Sequence, residues 1–409
     1  MRMNEYFADV GYQSINHDGE QLCGDHVEFI HEKTTQSGHQ LKIIVLADGL
    51  GHGVRASILS TLTSKIISTM LAAEMSIKEA VETIADTLPV NQEVNAAFST
   101  FTIMVIKDNH SATIMQYENP NVILLRDGKN YEYPTSELRI GDKVILQSEL
   151  ALMENDIFIM MSDGVLYASP NGVWNEEWDR NGVIKYMEAF FSVGFTAKTL
   201  TTILLDRVAR LYAGHPTDDA TVCTVRVRKR ESVNLAFGPP SRYDEGTKMM
   251  SLFFAREGKH IVCGGTTAKI AAAYLGKPVI PQQNTPDPNI PPMSKVEGID
   301  IVSEGIVTMD RVLVYAKDYL KDNETFEEWS YNKDAASIIA RELFETATDV
   351  NFFIGRAVNP AHQNLTLNFD VKMSIVSELV ECLQKMGKIV LVNYFLSKKS
   401  SLCKPRKFA

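Results

Sequence analysis

The sequence has few cysteines and no long apolar run, and each absence excludes a class of protein. Its five cysteines include no C-x-x-C pair, which argues against a disulfide-stapled scaffold or a zinc knuckle and favours a reducing compartment. No uninterrupted apolar segment reaches the roughly 18–20 residues that a membrane-spanning helix needs. The first residues also lack the apolar core of a signal peptide. The sequence therefore predicts a cytoplasmic protein without a membrane segment.

The sequence also has no excess of positive charge. Asp and Glu number 51 against 41 Lys and Arg, giving a net charge of -10, and this argues against nucleic acid as a partner. The 45% hydrophobic and 22% charged residues are typical of a globular protein. At 409 residues the chain exceeds one usual core, which predicts two domains, or three.

The most informative segment is IIVLADGLGHGVRAS, residues 43–57. An apolar strand would carry Asp48 to its end, where the carboxylate emerges at a sheet edge. Gly49, Gly51 and Gly53 would let the backbone turn tightly and approach a ligand. A carboxylate beside such a turn can hold a hard cation. The same pattern also occurs as an ordinary strand–turn–helix junction, so both interpretations stay open at this point.

The first half of the chain predicts strands and a few long helices. Apolar strand patterns occupy 41–47, 98–106, 112–117, 122–125, 130–133, 156–161 and 220–227. Helical patterns occupy 58–71, 183–191, 199–212 and a segment from Ser76 that Pro89 would stop. Ser76 and Glu79 form a candidate capping box at the start of that segment. Together these patterns predict a layered α+β domain with sheets inside and helices outside.

A change of pattern divides the chain into domains at 1–230 and 231–409. Residues 236–241, AFGPPS, are typical of a linker. Beyond them, strands at 260–263, 299–303, 351–354 and 388–395 alternate with helices ending near 275 and at 335–346 and 372–385. This alternation predicts a smaller α/β domain. The basic residues at 398–407 form a tail that we interpret as a solvated end.

The second domain offers one candidate ligand site. Residues 263–267, CGGTT, lie between a strand and a helix and could present backbone N–H groups to a small anionic ligand. They lack a P-loop ending and the G-x-G-x-x-G spacing, and a plain tight turn with a threonine cap is the alternative. We interpret the domain as a regulatory or ligand-sensing module. A second enzyme or a nucleotide receptor is the other hypothesis.

Acidic residues recur where strands of the first domain meet turns, at Asp25, Asp48, Asp163 and the pair Asp218 and Asp219. Each alone is typical of a turn. Clustered carboxylates repel one another unless cations neutralise them, so the set predicts a divalent metal site. Oxygen ligands favour Mg²⁺ or Mn²⁺ over zinc. Two such ions can clamp a bridging water, lower its pKa and aim it in line at phosphorus.

This ordered set resembles a known family. Gly24-Asp25, ADGLGHG at 47–53, Ser162-Asp163-Gly164 and DDATV at 218–222 resemble the metal-dependent serine/threonine phosphatases of the protein phosphatase 2C (PPM) superfamily. The ADGLGHG run is similar to the bacterial SpoIIE-type branch, and the resemblance covers about residues 5–228. It implies a four-layer α-β-β-α sandwich that hydrolyses phosphoserine or phosphothreonine. The implied substrate is a bacterial signalling protein, a STAS-type anti-anti-sigma regulator.

The resemblance also implies roles for individual residues. Asp48 would bridge two divalent ions, Mn²⁺ or Mg²⁺, and the Gly49 carbonyl would complete one coordination sphere. Asp163 and Asp218 would bind the other ion. Asp25 would ligate directly or hold a metal-bound water.

Two further positions carry weaker expectations. Asp219 follows a ligand position and would hold the ligands or bound water in place without binding metal itself. His52 would protonate the leaving hydroxyl, but its offset differs from the histidine of eukaryotic relatives, so a role at the start of a helix is the alternative.

One departure from the eukaryotic pattern concerns phosphate binding. Residues 12–23 contain no Arg or Lys, so metals and bound waters would hold the substrate phosphate, and affinity would depend on a docked protein partner. The helices at 54–73 and 76–88 would act as a regulatory switch or simply cover the sheet. A homodimer is left open. The rival function is a catalytically idle docking platform with the phosphatase fold.

Overall fold

The computed structural model forms two compact units, Met1–Lys229 and Arg230–Ala409. The described residues are 6–87, 99–141, 143–169, 178–240, 242–283, 285–321, 323, 325–355 and 365–395. No helix within these ranges is long and apolar enough to cross a membrane. Pro89 and the basic tail lie outside the described residues.

Two antiparallel sheets form the amino-terminal unit. The first is ordered β2-β3-β4-β5-β9-β8 and consists of β2 (Asp25–Thr34), β3 (Gln40–Asp48), β4 (Thr100–Lys107), β5 (Ser111–Tyr117), β8 (Ser136–Ile140) and β9 (Lys143–Ala151). The second is ordered β1-β11-β10-β6-β7 and consists of β1 (Tyr6–Ile15), β6 (Ile123–Arg126), β7 (Lys129–Asn130), β10 (Ile157–Met161) and β11 (Ala220–Lys229). The strand expected at 130–133 is thus shorter and earlier than its pattern suggested.

Four α-helices cover these sheets in the described part of this unit: α1 (Gly53–Ala72), α2 (Ile77–Thr87), α3 (Arg180–Glu188) and α4 (Ala197–Leu211). Short 3-10 turns occur at Asp163–Val165 and Phe191–Val193. The capping box at the start of α2 is confirmed, because Ser76 N donates to Glu79 Oε2 (2.8 Å) and Glu79 N donates to Ser76 Oγ (3.3 Å).

Three apolar clusters stack these elements into layers. Because successive side chains of a strand point to opposite faces, Ile44 of β3 packs towards Phe158 of β10 between the sheets. Its neighbour Ile43 packs with Ile67 of α1 on the opposite face. Ile159 of β10 packs with Leu204 of α4 on the far side of the second sheet. The four-layer α-β-β-α sandwich is therefore confirmed.

A seven-stranded sheet, ordered β14-β15-β16-β13-β12-β17-β18, organises the carboxy-terminal unit. Its strands are β12 (Ser232–Phe237), β13 (Lys259–Cys263), β14 (Ile280–Pro281), β15 (Ser294–Lys295), β16 (Ile301–Ser303), β17 (Asp349–Gly355) and β18 (Ile389–Phe395). The pairs from β16 to β18 are all parallel, whereas β14 and β15 pair antiparallel.

Helices cover both faces of this sheet. They are α5 (Tyr243–Phe254), α6 (Gly265–Leu275), α7 (Ile306–Leu320), α8 (Phe326–Tyr331), α9 (Ala335–Arg341) and α10 (Leu365–Lys385), with a π-helical turn at Glu342–Thr346. Leu235 of β12 packs into the cluster that holds α7, α9 and α10, and Ala236 packs into the one that holds α5 and α6. The predicted α/β class is confirmed.

The linker predicted at 236–241 is wrong. Ala236 and Phe237 are the last residues of β12, the strand with parallel neighbours on both sides. A strand buried on both faces has no alternating pattern, and SVNLAF is too short to distinguish by periodicity. Only the Gly238-Pro239-Pro240 turn that ends the strand was visible in the sequence.

Candidate metal centre

Asp25 and Asp48 face each other at one edge of the first sheet. Asp25 opens β2, Asp48 ends β3, and the antiparallel register pairs them directly. Asp25 is buried, with 5% of its surface exposed, and its Oδ2 accepts a hydrogen bond from Ser162 Oγ at 2.7 Å. The Ser162 hydroxyl in turn accepts from Thr221 N at 2.9 Å. Ser162 therefore fixes the Asp25 carboxylate to the end of the second sheet.

Asp163 and Asp218 lie at the matching edge of the second sheet. Asp163 follows β10, and Asp218 precedes β11, its antiparallel neighbour. A Cβ placed on Gly164 would lie 2.2 Å from the carbonyl oxygen of Asp219 and 3.3 Å from Asp218 Cβ. Only glycine permits this approach, so the S-D-G sequence brings the two acidic corners together.

The carboxylates interact strongly. Burial, followed by the charges of Asp25, Asp163 and Asp218, raises the pKa of Asp48 to about 9. Burial raises the pKa of Asp25 to about 7, and burial with the charge of Asp163 raises the pKa of Asp218 to about 6. The pKa of Asp163 is also raised, by burial. Four acids from both sheets thus share one region in which their common ionisation is unfavourable without a cation.

The turn after Asp48 is packed tightly against α1. A Cβ placed on Gly49 would lie 2.1 Å from the carbonyl oxygen of Ala56, and Gly49 N donates to the Gly24 carbonyl at 3.2 Å. Gly51 and Gly53 have φ values of 83° and 72°, which glycine adopts without strain. Packing therefore requires glycine at position 49, and the positive φ values favour it at positions 51 and 53.

One carboxylate oxygen of Asp219 is buried without a hydrogen-bond donor among the described residues. The residue is 2% exposed, and its Oδ1 accepts from His17 N at 3.0 Å. Its Oδ2 is buried without a hydrogen-bond partner among the described residues, and a Cβ on Gly24 would lie 2.6 Å from it. A buried carboxylate oxygen without a donor is costly. A cation or a cation-bound water would satisfy it.

The donor set fits divalent hard cations whose coordination is completed by water. Within the described ranges, no three His, Cys, Asp or Glu side chains converge into a ready-made metal cluster. The strand register nevertheless pairs Asp25 with Asp48, and the Ser162 hydroxyl joins Asp25 to the turn that carries Asp163. Mg²⁺ is commonly held by one or two carboxylates and keeps several waters. Carboxylates spread around a shared region therefore suit such ions better than one closed cage.

His52 is the residue before α1 and is separate from the acids in its contacts. Its side chain is 54% exposed, and its Nδ1 lies 2.9 Å from Glu20 Oε1. Its ring stacks on His17 with centroids 4.3 Å apart and planes at 13°. The helix-start position is the one observed, and proton donation by His52 stays a prediction.

Sequence reasoning missed the residues that support the acids. Ser162 stood in the quoted S-D-G motif, but its hydroxyl links Asp25 to Thr221 across 137 and 59 residues. His17 and Glu20 gave no signal, because their partners Asp219 and His52 are distant in sequence. Tertiary contacts alone reveal these roles.

Comparison with known proteins finds a sequence match to one family over part of the chain. Residues 39–228 match the family described as Stage II sporulation protein E (SpoIIE). The Stage II sporulation protein E of Bacillus subtilis (strain 168) is 25% identical over 188 residues, which are 44% of this chain and 22% of that protein. The chain thus spans about a fifth of the length of this relative.

Two solved structures are similar in fold. One contains the PP2C phosphatase domain and a fragment of the regulatory domain of SpoIIE from Bacillus subtilis, at 22% identity and a TM-score of 0.45, covering 55% of this chain and 64% of that chain. The other is RsbX in complex with magnesium, at 18% identity and a TM-score of 0.37, covering 55% and 96%. Because both TM-scores are low, the family assignment rests on the sequence match. Residues 39–228 of the amino-terminal unit are therefore similar in sequence to the SpoIIE family.

Proposed function

We propose that the amino-terminal unit is a metal-dependent phosphatase that hydrolyses phosphoserine or phosphothreonine on a protein. The observation that carries this proposal is the set of buried and half-buried, mutually repelling carboxylates at the edges of two sheets. Their raised pKa values and the orphaned Asp219 oxygen describe a site that needs cations. Hydrolysis of a phosphate ester is chemistry that such cations support.

Each acid has a proposed part. Asp48 would be shared by two divalent ions, and the Gly49 carbonyl would complete the coordination of one of them. Asp163 and Asp218 would hold the other, and Asp25 would ligate directly or hold a metal-bound water. When bound, the two ions supply a water of lowered pKa and neutralise charge on the phosphoryl oxygens. Mn²⁺ and Mg²⁺ both suit the oxygen donors.

The chain's own groups position this set. Ser162 holds the Asp25 carboxylate through its hydroxyl, and Asp219 stays buried behind the acids. The Nδ1 contact of His52 with Glu20 leaves Nε2 as the ring nitrogen for proton exchange. We propose that this nitrogen protonates the leaving hydroxyl.

We propose a STAS-type regulator as the substrate. The family resemblance supports this class, and the lack of Arg and Lys in 12–23 supports recognition by protein docking rather than by a phosphate-gripping arginine. Val54, Ile58 and Leu62 lie four residues apart on α1, and 58%, 54% and 41% of their surfaces are exposed. This apolar stripe next to the metal turn is suited to a protein partner.

The test is a phosphatase assay with Mn²⁺ or Mg²⁺ on a phosphorylated STAS-type protein. Asp48→Asn should lower kcat/KM by at least about 100-fold, because it removes the shared metal ligand. Asp127→Asn is the matched control, since Asp127 is an exposed turn residue with φ 51° that asparagine also tolerates. Equal activity of the wild type, Asp48→Asn and Asp127→Asn would refute the phosphatase assignment.

A docking platform without catalysis is the rival function. The lack of a ready-made metal cluster among the described residues favours it. Calorimetric titration with Mn²⁺ separates the two, because a platform would bind no divalent ion even at millimolar concentration, whereas a phosphatase would.

We propose a division of labour in which 1–230 catalyse and 231–409 sense a small anionic ligand. A homodimer and a cytoplasmic location also stay predictions. Light scattering of the purified chain measures the first, and cell fractionation measures the second.

A further inference from the structure

The amino ends of α6 and α7 meet at one edge of the carboxy-terminal sheet. The preceding strands β13 and β16 are parallel neighbours, with Cys263 paired to Ser303, so the chain leaves both at the same edge. A Cβ on Gly305 would lie 3.6 Å from Gly264 Cα, and one on Gly265 would lie 3.4 Å from Glu304 Oε1. Two helix ends, each carrying partial positive charge, therefore lie side by side.

Neither helix end is capped by a side chain in the described part of the chain. Gly264 and Gly305 occupy the two N-cap positions, and Gly264 has φ 110°. The first helical bonds run from Ala268 N to the Gly264 carbonyl and from Met309 N to the Gly305 carbonyl. The N–H groups between cap and first bond have no intrahelical acceptor, and glycine caps leave room for a ligand to approach them.

Two buried hydroxyls at the same ends point independently to a ligand. Thr267 and Thr308 each occupy the third position of their helix and are 0% exposed. Neither Oγ1 has a hydrogen-bond partner among the described residues, although buried hydroxyls nearly always have one. Thr267 Oγ1 lies 3.3 Å from the Cβ position of Gly264, so it is directed back towards the helix amino end.

The fold also favours the amino ends of α6 and α7 over the ligand position usual in parallel sheets. In parallel sheets, ligands bind at the carboxyl ends of strands near the point where the strand order reverses, here between β12 and β17. That gap is filled, because a Cβ on Gly355 would lie 2.2 Å from the Pro239 carbonyl carbon, and Lys372 Nζ donates to the Gly355 carbonyl at 2.6 Å. The adjacent position over β13 and β16 keeps Gly264 and Gly305 part-exposed.

We propose that the paired amino ends of α6 and α7 bind the phosphate of a small, hydroxyl-bearing phosphate monoester. The phosphate oxygens accept from the free N–H groups and from the Thr267 and Thr308 hydroxyls. Glu304, exposed beside Gly265, accepts from a ligand hydroxyl. Its charge also disfavours a polyphosphate, which is why a monoester is the class assigned. This inference does not depend on phosphatase activity.

The experiment uses the full chain in metal-free buffer, so that the acidic site of the amino-terminal unit takes no part. Calorimetry and thermal shift would compare ribose 5-phosphate, inorganic phosphate and ribose. We expect ribose 5-phosphate to bind more tightly than inorganic phosphate and ribose not to bind. The proposal would be overturned if only ribose bound. It would also be overturned if none of the three compounds bound at 10 mM, a concentration about tenfold above the Kd of a weak millimolar site.

A double variant and a control variant sharpen the test. Thr267→Val with Thr308→Val should weaken ribose 5-phosphate binding at least about tenfold, because charge-assisted hydrogen bonds are lost. It should keep or raise the ligand-free Tm, since two unsatisfied hydroxyls become methyl groups. Thr247→Val, an exposed position on α5, is the control and should bind as wild type. A double variant that binds as wild type would refute the phosphate site.

Glu304→Gln tests the hydroxyl contact without touching a buried residue. It should weaken ribose 5-phosphate binding while leaving inorganic phosphate binding unchanged or tighter, because a negative charge beside the phosphate is removed. Unchanged binding of ribose 5-phosphate would contradict the assignment of a hydroxyl-bearing ligand.

Discussion

The two units place charge at the ends of their strands in opposite ways. In the amino-terminal unit, antiparallel strands deliver carboxylates such as Asp48 and Asp25 to a shared edge. In the carboxy-terminal unit, parallel strands deliver glycines and helix amino ends, at Gly264 and Gly305. The first edge concentrates negative charge, and the second concentrates the partial positive charge of helix amino ends.

The difference follows from strand direction. Antiparallel neighbours end and begin at the same edge, so acids that precede one strand and follow another come together. Parallel neighbours each return through a helix, and the amino ends of those helices gather at the carboxyl edge of the sheet. Similar glycine-rich turns thus produce sites of opposite preference.

The largest expected effect is a pH dependence of the stability of the amino-terminal unit, caused by the acids at its sheet edge. The folded-state pKa values of Asp48, Asp25 and Asp218 are raised to about 9, about 7 and about 6, so the folded state retains protons that the unfolded state has lost. The free energy of unfolding should therefore fall as pH rises from about 4 to about 9.

Calorimetry of the metal-free chain measures this, and the transition of the amino-terminal unit should drop by about 5 °C or more, since 1 kcal/mol corresponds to about 2–4 °C at this size. Millimolar Mn²⁺ should flatten the dependence. A metal-free Tm that rises between pH 5 and 9 would contradict the repulsion among the carboxylates.

The next effect compares two glycines. Gly49→Ala should lower the free energy of unfolding by about 1–3 kcal/mol, because its Cβ would lie 2.1 Å from the Ala56 carbonyl. Gly246→Ala, within α5, should leave it unchanged or raise it by up to about 1 kcal/mol, since the nearest atom to its Cβ would be Ile270 Cγ2 at 3.5 Å and alanine favours a helix over glycine. Urea unfolding of both variants measures the difference, and equal losses would show that the Gly49 turn is less tightly packed than described.

The smallest expected effect is the change in the metal-free Tm when Asp48 is replaced. Asp48→Asn should raise the metal-free Tm at pH 8 by about 2–4 °C. The raised pKa of Asp48 means that its carboxyl must take up a proton on folding at this pH, and the neutral amide has no such cost. Asp127→Asn should leave the Tm unchanged. If Asp48→Asn lowers the metal-free Tm, its carboxylate is stabilised by contacts other than a cation.

Several features were predictable because they depend on neighbours in sequence. The capping box of Ser76 and Glu79 formed as its spacing indicated, and Asp127 and Gly128 adopt the positive φ values expected of a hairpin turn. By contrast, β12 (Ser232–Phe237) was mistaken for part of a linker. Its burial on both faces is decided by strands β13 and β17, which local pattern does not report.

By itself, the sequence determined the order of the acidic corners, the glycines beside them, the class of each half and the resemblance of the first half to the SpoIIE family. These depend on residue type and local spacing. Only the tertiary structure decided that Ser162 ties Asp25 to Thr221 and that one Asp219 oxygen has no partner among the described residues. It also decided that the helices carrying Thr267 and Thr308 begin side by side. The physical reason is that each of these joins groups from separate elements, where burial and pairing are set by chain topology rather than by sequence neighbours.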